Sequence, residues 1–209
     1  MFLLVNHTFF SDFRSMKQHK YVEVNDCLIL NFSIMSKRVA VLAVNPVNGF
    51  GLFQYLEAFY ENKIEYKVYA VSDTTDIRTN SGIAIKTDDT IAHLKGYSGD
   101  FDALVFSCGD AVPVFAEHAS EEYNVVLLDV IREFAQADKL MIGHCAAALM
   151  FEIAGIAEGK RMAIHPLAKP AIQHGVATDE PYETDGKFYT AQCEHTLPAL
   201  LPSLLEILK

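Results

Sequence analysis

The sequence predicts an α/β fold, a doubly wound and mostly parallel sheet with helices on both faces and an antiparallel hairpin at one edge. The first observation behind this prediction is that strand-like apolar runs alternate with helical patterns and no segment repeats. The second is the run at 38–44 (RVAVLAV), which is continuous and β-branched, as in parallel strands buried on both faces. The third is the turn sequence at 184–187 (TDGK) between two alternating segments, which predicts the hairpin.

The other elements follow from the same periodicities. Residues 45–49 form a loop after the first strand, and apolar residues within 52–62 recur at helical spacing. The patterns also predict strands at 66–71, 83–85, 101–107, 139–142, 162–164 and within 182–192, and helices at 125–137, 146–154 and 197–208.

Three segments lie where the predicted parallel strands end. They are 45–51, 108–110 and 144–145, and each carries polar or reactive residues. In open α/β sheets, ligands bind beyond the carboxyl ends of the strands. The sequence therefore places its candidate site where these three segments meet.

Composition narrows the class of protein. At 209 residues and 51% hydrophobic content, the chain can build one full core. A net charge of −10 without a basic run argues against nucleic acid or an anionic membrane as partner, and no stretch is apolar for long enough to span a bilayer. The four cysteines are widely spaced, which indicates reduced thiols in a cytoplasmic protein. Because zinc-ligand spacings and a GxGxxG loop are missing, we expect neither a metal nor a nucleotide cofactor.

Cys145 is the most informative residue of the chain. It follows the apolar run 139–142 and a Gly143-His144 step, and it precedes the small-residue helix predicted at 146–154. This order predicts a strand–nucleophile–helix turn with strained backbone. The positive end of the helix and its free N–H groups should lower the pKa of the thiol. His144 is adjacent to Cys145, and because neighbours on a tight turn point apart, it should face away from the site.

Several segments together resemble the ThiJ/PfpI superfamily, the class I glutamine amidotransferase-like proteins, and the branch of the Parkinson disease-associated deglycase-like protein. The resemblance runs from about residue 37 to 209 and is carried by SKRVAVLAV, FDALVFSCGD, IGHCAAAL, the stretch through HPLAK, and DGKFYTAQ. It implies a flavodoxin-like fold, usually a homodimer, with a reactive cysteine at a nucleophile elbow.

Residue roles follow from the resemblance. Cys145 corresponds to the nucleophile, and His165 of HPLAK to a histidine close to it. The backbone N–H groups of Gly109 and Ala146 correspond to the oxyanion donors. A small-molecule carbonyl compound, such as a 2-oxoaldehyde, is then the expected substrate.

The chain also departs from the pattern of its relatives. An acidic residue commonly hydrogen-bonds the cysteine sulfur there, but a gapless match puts Gly51 at that position, which predicts that no carboxylate reaches the sulfur. Ala146 follows the cysteine, where protease-like members have histidine. Cys108 replaces one of two glycines, and it is either a resolving thiol for oxidised Cys145 or a small residue that the loop tolerates.

These departures leave the activity open. One hypothesis is a cysteine-dependent enzyme of the glyoxalase or deglycase kind, a lyase or hydrolase acting on 2-oxoaldehydes or their adducts. The alternative is a non-enzymatic redox or stress-response protein that uses oxidation of Cys145. A degenerate member that binds a small ligand without turnover is the third option.

Residues 1–34 are predicted to be an N-terminal extension and 35–209 the family domain, because Met35 begins a complete set of elements. Deleting residues 1–34 should therefore leave both the thermal midpoint and the reactivity of Cys145 unchanged. Thermal denaturation and iodoacetamide labelling of the two proteins check this. A truncated chain that unfolds or loses thiol reactivity would show that the domain starts earlier.

Overall fold

The computed structural model describes residues 37–209, which form eleven strands and four helices. The strands are β1 (Arg38–Val44), β2 (Glu65–Val71), β3 (Asp76–Arg78), β4 (Ala84–Lys86), β5 (Asp89–Thr90), β6 (Ala103–Ser107), β7 (Leu140–His144), β8 (Arg161–Ala163), β9 (Val176–Thr178), β10 (Tyr182–Asp185) and β11 (Phe188–Ala191). The helices are α1 (Gly49–Glu61), α2 (Glu122–Gln136), α3 (Ala147–Ile153) and α4 (Leu197–Leu208). The predicted extension at 1–34 lies outside the described residues.

A seven-stranded sheet forms the centre of the domain, in the order β10-β11-β7-β6-β1-β2-β5. All of its neighbouring strands are parallel except β10 and β11, which form an antiparallel hairpin at one edge. The predicted fold class, with its edge hairpin, is therefore confirmed. Two smaller pairs, β3 with β4 and β8 with β9, lie outside this sheet.

The core lies around β1 and β6, in the middle of the sheet. From Val39 to Ala43, β1 has no solvent exposure on either face, and β6 is buried along its whole length. Helix α1 packs against α4, and α2 against α3, so that helices cover both faces of the sheet. Burial on both faces explains why these strands are continuous apolar runs in the sequence.

The predicted helices and long strands are confirmed, with shifts at their ends. Helix α1 begins at Gly49, three residues before the predicted start, because the Asn48 side chain caps it by accepting a hydrogen bond from the Gly51 N–H at 2.8 Å. Helix α2 also begins earlier, at Glu122. The first turn of α1 contains Gly49 and Gly51, and that of α2 contains Glu122 and Asn124, so neither turn shows the apolar periodicity of the helix that follows. Strands β3, β5 and β9, each of two or three residues, were not predicted.

No helix among residues 37–209 is long and apolar enough to cross a membrane.

Candidate functional site

Cys145 lies at the turn between β7 and α3, as the sequence predicts. Its φ of 59° is in the left-handed region, which residues with a Cβ seldom adopt. Two backbone hydrogen bonds hold the turn: the Cys145 N–H donates to the Ala191 carbonyl at 3.1 Å, and the Cys145 carbonyl accepts from the His165 N–H at 3.0 Å. The sulfur is half-buried and therefore accessible.

Cys108 lies beside Cys145 because β6 and β7 are neighbours in the sheet. Phe106 of β6 is in register with Gly143 of β7, and the two cysteines each follow two residues later. Both side chains line the same cleft. The sequence left open whether the two strands are adjacent, and the structure shows that they are.

The pKa of Cys145 is lowered, and the main cause differs from the one expected. The thiol of Cys108 acts as a hydrogen-bond donor to the Cys145 sulfur, and this contributes most to the shift. The Ala146 N–H at the start of α3 also lowers the pKa, while burial and the negative charges of Glu194 and Asp110 raise it. The direction of this shift agrees with the expected stabilisation of the thiolate, and the second thiol contributes more to it than the Ala146 N–H at the helix end does.

The pKa of Cys108 is shifted in the opposite direction. Its hydrogen bond to Cys145, its burial and the nearby Cys145 charge hold its pKa well above the ordinary thiol value. Of the two adjacent thiols, Cys145 therefore loses its proton more readily than Cys108.

No carboxylate of residues 37–209 hydrogen-bonds the Cys145 sulfur; Glu194 and Asp110 affect it only through their charge. This agrees with the expectation drawn from Gly51. His144 explains why that position lacks a side chain. A Cβ at Gly51 would lie 2.3 Å from His144 Nε2, so the imidazole occupies the space that a side chain would need.

The His144 ring is fully buried on the α1 side of the sheet. It packs 5.7 Å from the Tyr55 ring, centroid to centroid, and neither of its nitrogens has a partner among the described residues. Burial lowers the pKa of His144 to about 4, so the ring is neutral at physiological pH. As predicted, it points away from the cleft that Cys145 lines.

Gly109 lies directly against the loop that follows β1. A Cβ there would lie 2.2 Å from the Pro46 carbonyl oxygen and 2.6 Å from the Val47 Cα, so this position requires glycine. The same loop anchors the end of β6, since the Asn48 N–H donates to the Cys108 carbonyl at 2.9 Å. The Gly109 N–H is directed at the Cys108 sulfur and helps to hold it.

His165 is tied to the site by its backbone, and its ring lines the cleft. Its Nδ1 accepts a hydrogen bond from the Leu167 N–H at 3.3 Å. The neutral ring therefore carries its proton on Nε2. In this tautomer His165 can donate to a ligand, but Nε2 cannot accept a proton from Cys145.

The cleft around Cys145 has a volume of about 390 Å³. Its walls are mostly apolar, with a few polar groups from four separate loops. Asn80 and Asp110 close one side, with the Asn80 Nδ2 donating to Asp110 Oδ1 at 2.8 Å. Its lining residues are Asn48, Asn80, Cys108, Gly109, Asp110, Val112, Pro113, Cys145, Ala146, Leu149, His165, Leu167, Ala168 and Ala171.

The structure brings together all four predicted site residues, Cys145, His165, Gly109 and Ala146, in this cleft. Sequence analysis missed Asn80 and Glu194. Asn80 lies in the turn between β3, which was not predicted, and β4. Glu194 is 49 residues from Cys145 in sequence, and the fold brings its charge close to the sulfur. Among residues 37–209, no group of three or more His, Cys, Asp or Glu side chains is arranged to hold a metal ion.

Comparison with known proteins identifies the family to which this fold and sequence belong. The model of the DJ-1/PfpI family matches residues 37–207. The chain belongs to the DJ-1/PfpI family. It is 63% identical over 175 residues to the protein ppBat of Bacteroides thetaiotaomicron, covering 84% of this chain and all of that one.

Solved structures agree with the family membership. One is the crystal structure of a Bacteroides thetaiotaomicron protein described as "putative protease I", which is 64% identical in sequence and has a TM-score of 0.82. The match covers 83% of this chain and 99% of that protein's chain. Drosophila melanogaster DJ-1beta shares the fold at 19% identity, with a TM-score of 0.72 and coverage of 83% and 91% of the two chains. Both structures place this chain's sheet in the DJ-1/PfpI fold.

Replacing Gly51 with alanine should destabilise the protein by about 1–3 kcal/mol, because the new methyl group overlaps the His144 ring. In a His144→Ala background the space is open, and the same change should be neutral or stabilise helix α1 by up to about 1 kcal/mol. Urea denaturation of the four proteins in a double-mutant cycle measures the difference. Equal costs in both backgrounds would contradict the steric explanation.

The midpoint for iodoacetamide labelling of Cys145 should lie below the ordinary thiol pKa of about 8.5. Cys108→Ala removes the strongest donor to the sulfur and should move this midpoint to higher pH. Mass spectrometry of the tryptic peptide 140–160 follows the labelling. Cys193→Ala, which changes a cysteine outside the cleft, is the control and should leave the midpoint in place. An unchanged midpoint in Cys108→Ala would show that another group stabilises the thiolate.

Proposed function

We propose that the Cys145 thiolate attacks the aldehyde carbon of 2-oxoaldehydes, or of their adducts, in a glyoxalase- or deglycase-like reaction. The observation that carries this proposal is the half-buried sulfur with lowered pKa in a cleft of about 390 Å³. A thiolate is the nucleophilic form of cysteine, and a cleft of this size holds a small organic molecule.

The surroundings of the sulfur favour an uncharged substrate. The cleft walls are mainly apolar, with Val112, Leu149 and Ala171 among them. Asp110 and Glu194 place negative charge near the sulfur, as their effect on Cys145 shows. An anionic substrate would be repelled there, whereas a neutral aldehyde would not.

The first chemical step follows from the atoms present. The sulfur forms a bond to the aldehyde carbon, and the electron pair of the carbonyl moves to its oxygen. The N–H groups of Gly109 and Ala146, which are directed at the sulfur pair, are the donors that we assign to that oxyanion. His165 Nε2–H is suited to donate a proton to the oxygen. The overall conversion of methylglyoxal to lactate adds one water and needs no redox cofactor.

A peptidase reaction has less support. A cysteine peptidase needs a base hydrogen-bonded to its nucleophile. In the described part of this chain the side-chain donor to Cys145 is the Cys108 thiol, and the proton of neutral His165 already occupies Nε2. The second candidate is redox chemistry at Cys145, favoured by the adjacent thiol.

The full chain should convert methylglyoxal to lactate, and Cys145→Ser should reduce the rate on the order of a thousandfold or more. Enzymatic determination of lactate over time measures both. Cys193→Ser is the matched control and should retain the rate, because Cys193 does not line the cleft.

Turnover by the full chain that does not exceed that of Cys145→Ser would refute the carbonyl reaction. Folding of each variant is checked by circular dichroism, so that a loss of rate reflects chemistry. Hydrolysis of casein by the wild type and not by Cys145→Ser would instead support a peptidase.

A further inference from the structure

We propose that Cys108 resolves an oxidised Cys145, so that exposure to a hydroperoxide converts the two residues to a reversible intramolecular disulfide. This is a redox modification site additional to the carbonyl reaction. It rests on the placement of the two sulfurs at the ends of adjacent strands and at the wall of one cleft.

The backbone geometry suits such a bond. Adjacent strands lie about 4.8 Å apart, and the register of β6 and β7 carried forward pairs Cys108 with Cys145. Disulfides form between Cα atoms separated by about 4.4–6.8 Å. The two thiols are close enough for each to shift the pKa of the other, and both line the wall of the same cleft.

The exposure of the two residues sets the order of events. Cys145 is half-buried and open to the cleft, whereas Cys108 is 3% exposed. A hydroperoxide therefore reaches Cys145 first. Burial of Cys108 also disfavours disulfides between chains through that residue and leaves the neighbouring sulfur as its partner.

Both steps balance in atoms and electrons. The Cys145 thiolate attacks the outer peroxide oxygen, an S–O bond forms and the O–O bond breaks, and the alkoxide or hydroxide leaves as an alcohol or water after taking a proton. The Cys108 sulfur then attacks the Cys145 sulfur, an S–S bond forms and the S–O bond breaks. The leaving hydroxide takes the Cys108 proton and departs as water. The two sulfurs are oxidised by two electrons, which reduce the peroxide.

The state of Cys145 controls the reactivity of Cys108. The causes that hold the pKa of Cys108 high include its hydrogen bond to Cys145 and the charge of that sulfur. Conversion of Cys145 to a neutral sulfenic acid removes that charge. Cys108 therefore loses its proton more easily once Cys145 has become a sulfenic acid, and the sulfenic acid is the group that Cys108 attacks.

Disulfide formation competes with a second oxidation of Cys145. A sulfinate in this cleft would lie near the charges of Glu194 and Asp110, and no carboxylic acid of residues 37–209 hydrogen-bonds the sulfur to share a proton with it. Attack by the adjacent Cys108 thiol, in contrast, needs no second molecule of peroxide. Closure to the disulfide is therefore the faster outcome at low peroxide.

The experiment uses the full chain, reduced and freed of reductant, with one equivalent of hydrogen peroxide. The intact mass should fall by about 2 Da, and the number of free thiols should drop from four to two. Tryptic peptides 96–132 and 140–160, which hold Cys108 and Cys145, should then be found linked. Dithiothreitol should restore the original mass.

Two variants distinguish this disulfide from other oxidation. Cys193→Ser should still lose about 2 Da, whereas Cys108→Ser should instead gain about 16 or 32 Da at Cys145. A wild-type chain that accumulates sulfinate at Cys145 with Cys108 still free would overturn the proposal. A linkage of Cys145 to Cys27, to Cys193 or to another chain would overturn it as well. Both of these contradicting outcomes are measured on the wild-type chain, so the test remains valid even if Cys108→Ser does not fold.

Discussion

Parallel pairing of β6 with β7 places the ends of both strands at one edge of the sheet, and the candidate site depends on that alignment. It places the buried Cys108 thiol beside the half-buried Cys145, where the pKa of Cys145 is lowered and that of Cys108 is raised. The loop after β1 then fixes the end of β6, through the Asn48 N–H and the close approach of Gly109. Without this register, Cys145 would lack the neighbouring thiol that contributes most to lowering its pKa.

Much of the fold could be predicted because its central strands are buried on both faces. Continuous apolar runs such as 38–44 and 101–107 are typical of such strands, and the TDGK turn indicates the edge hairpin. Strands β5 and β9 could not be predicted. They have two and three residues, and their pairing comes from neighbours that are distant in sequence.

Four residues of the candidate site could be predicted from the sequence, but the interactions that shift the pKa of Cys145 and that keep position 51 a glycine could not. The elbow sequence identified Cys145, yet it pointed to the helix end as the main stabiliser of the thiolate. The Cys108 thiol contributes more, which only the strand order could reveal. Likewise, Gly51 looked like a simple loss of an acid. The structure shows that a neutral, buried His144 ring fills the space beside Gly51, so a side chain at position 51 would overlap that ring.

The left-handed backbone of Cys145 lowers the stability of the domain while it holds a thiol at the turn. A residue with a Cβ in this region costs roughly 1–2 kcal/mol, and glycine would adopt the same φ of 59° without that strain. A sequence selected for stability alone would therefore carry glycine at position 145. The cysteine persists there at a thermodynamic disadvantage, and backbone strain of this kind is concentrated at functional sites in proteins.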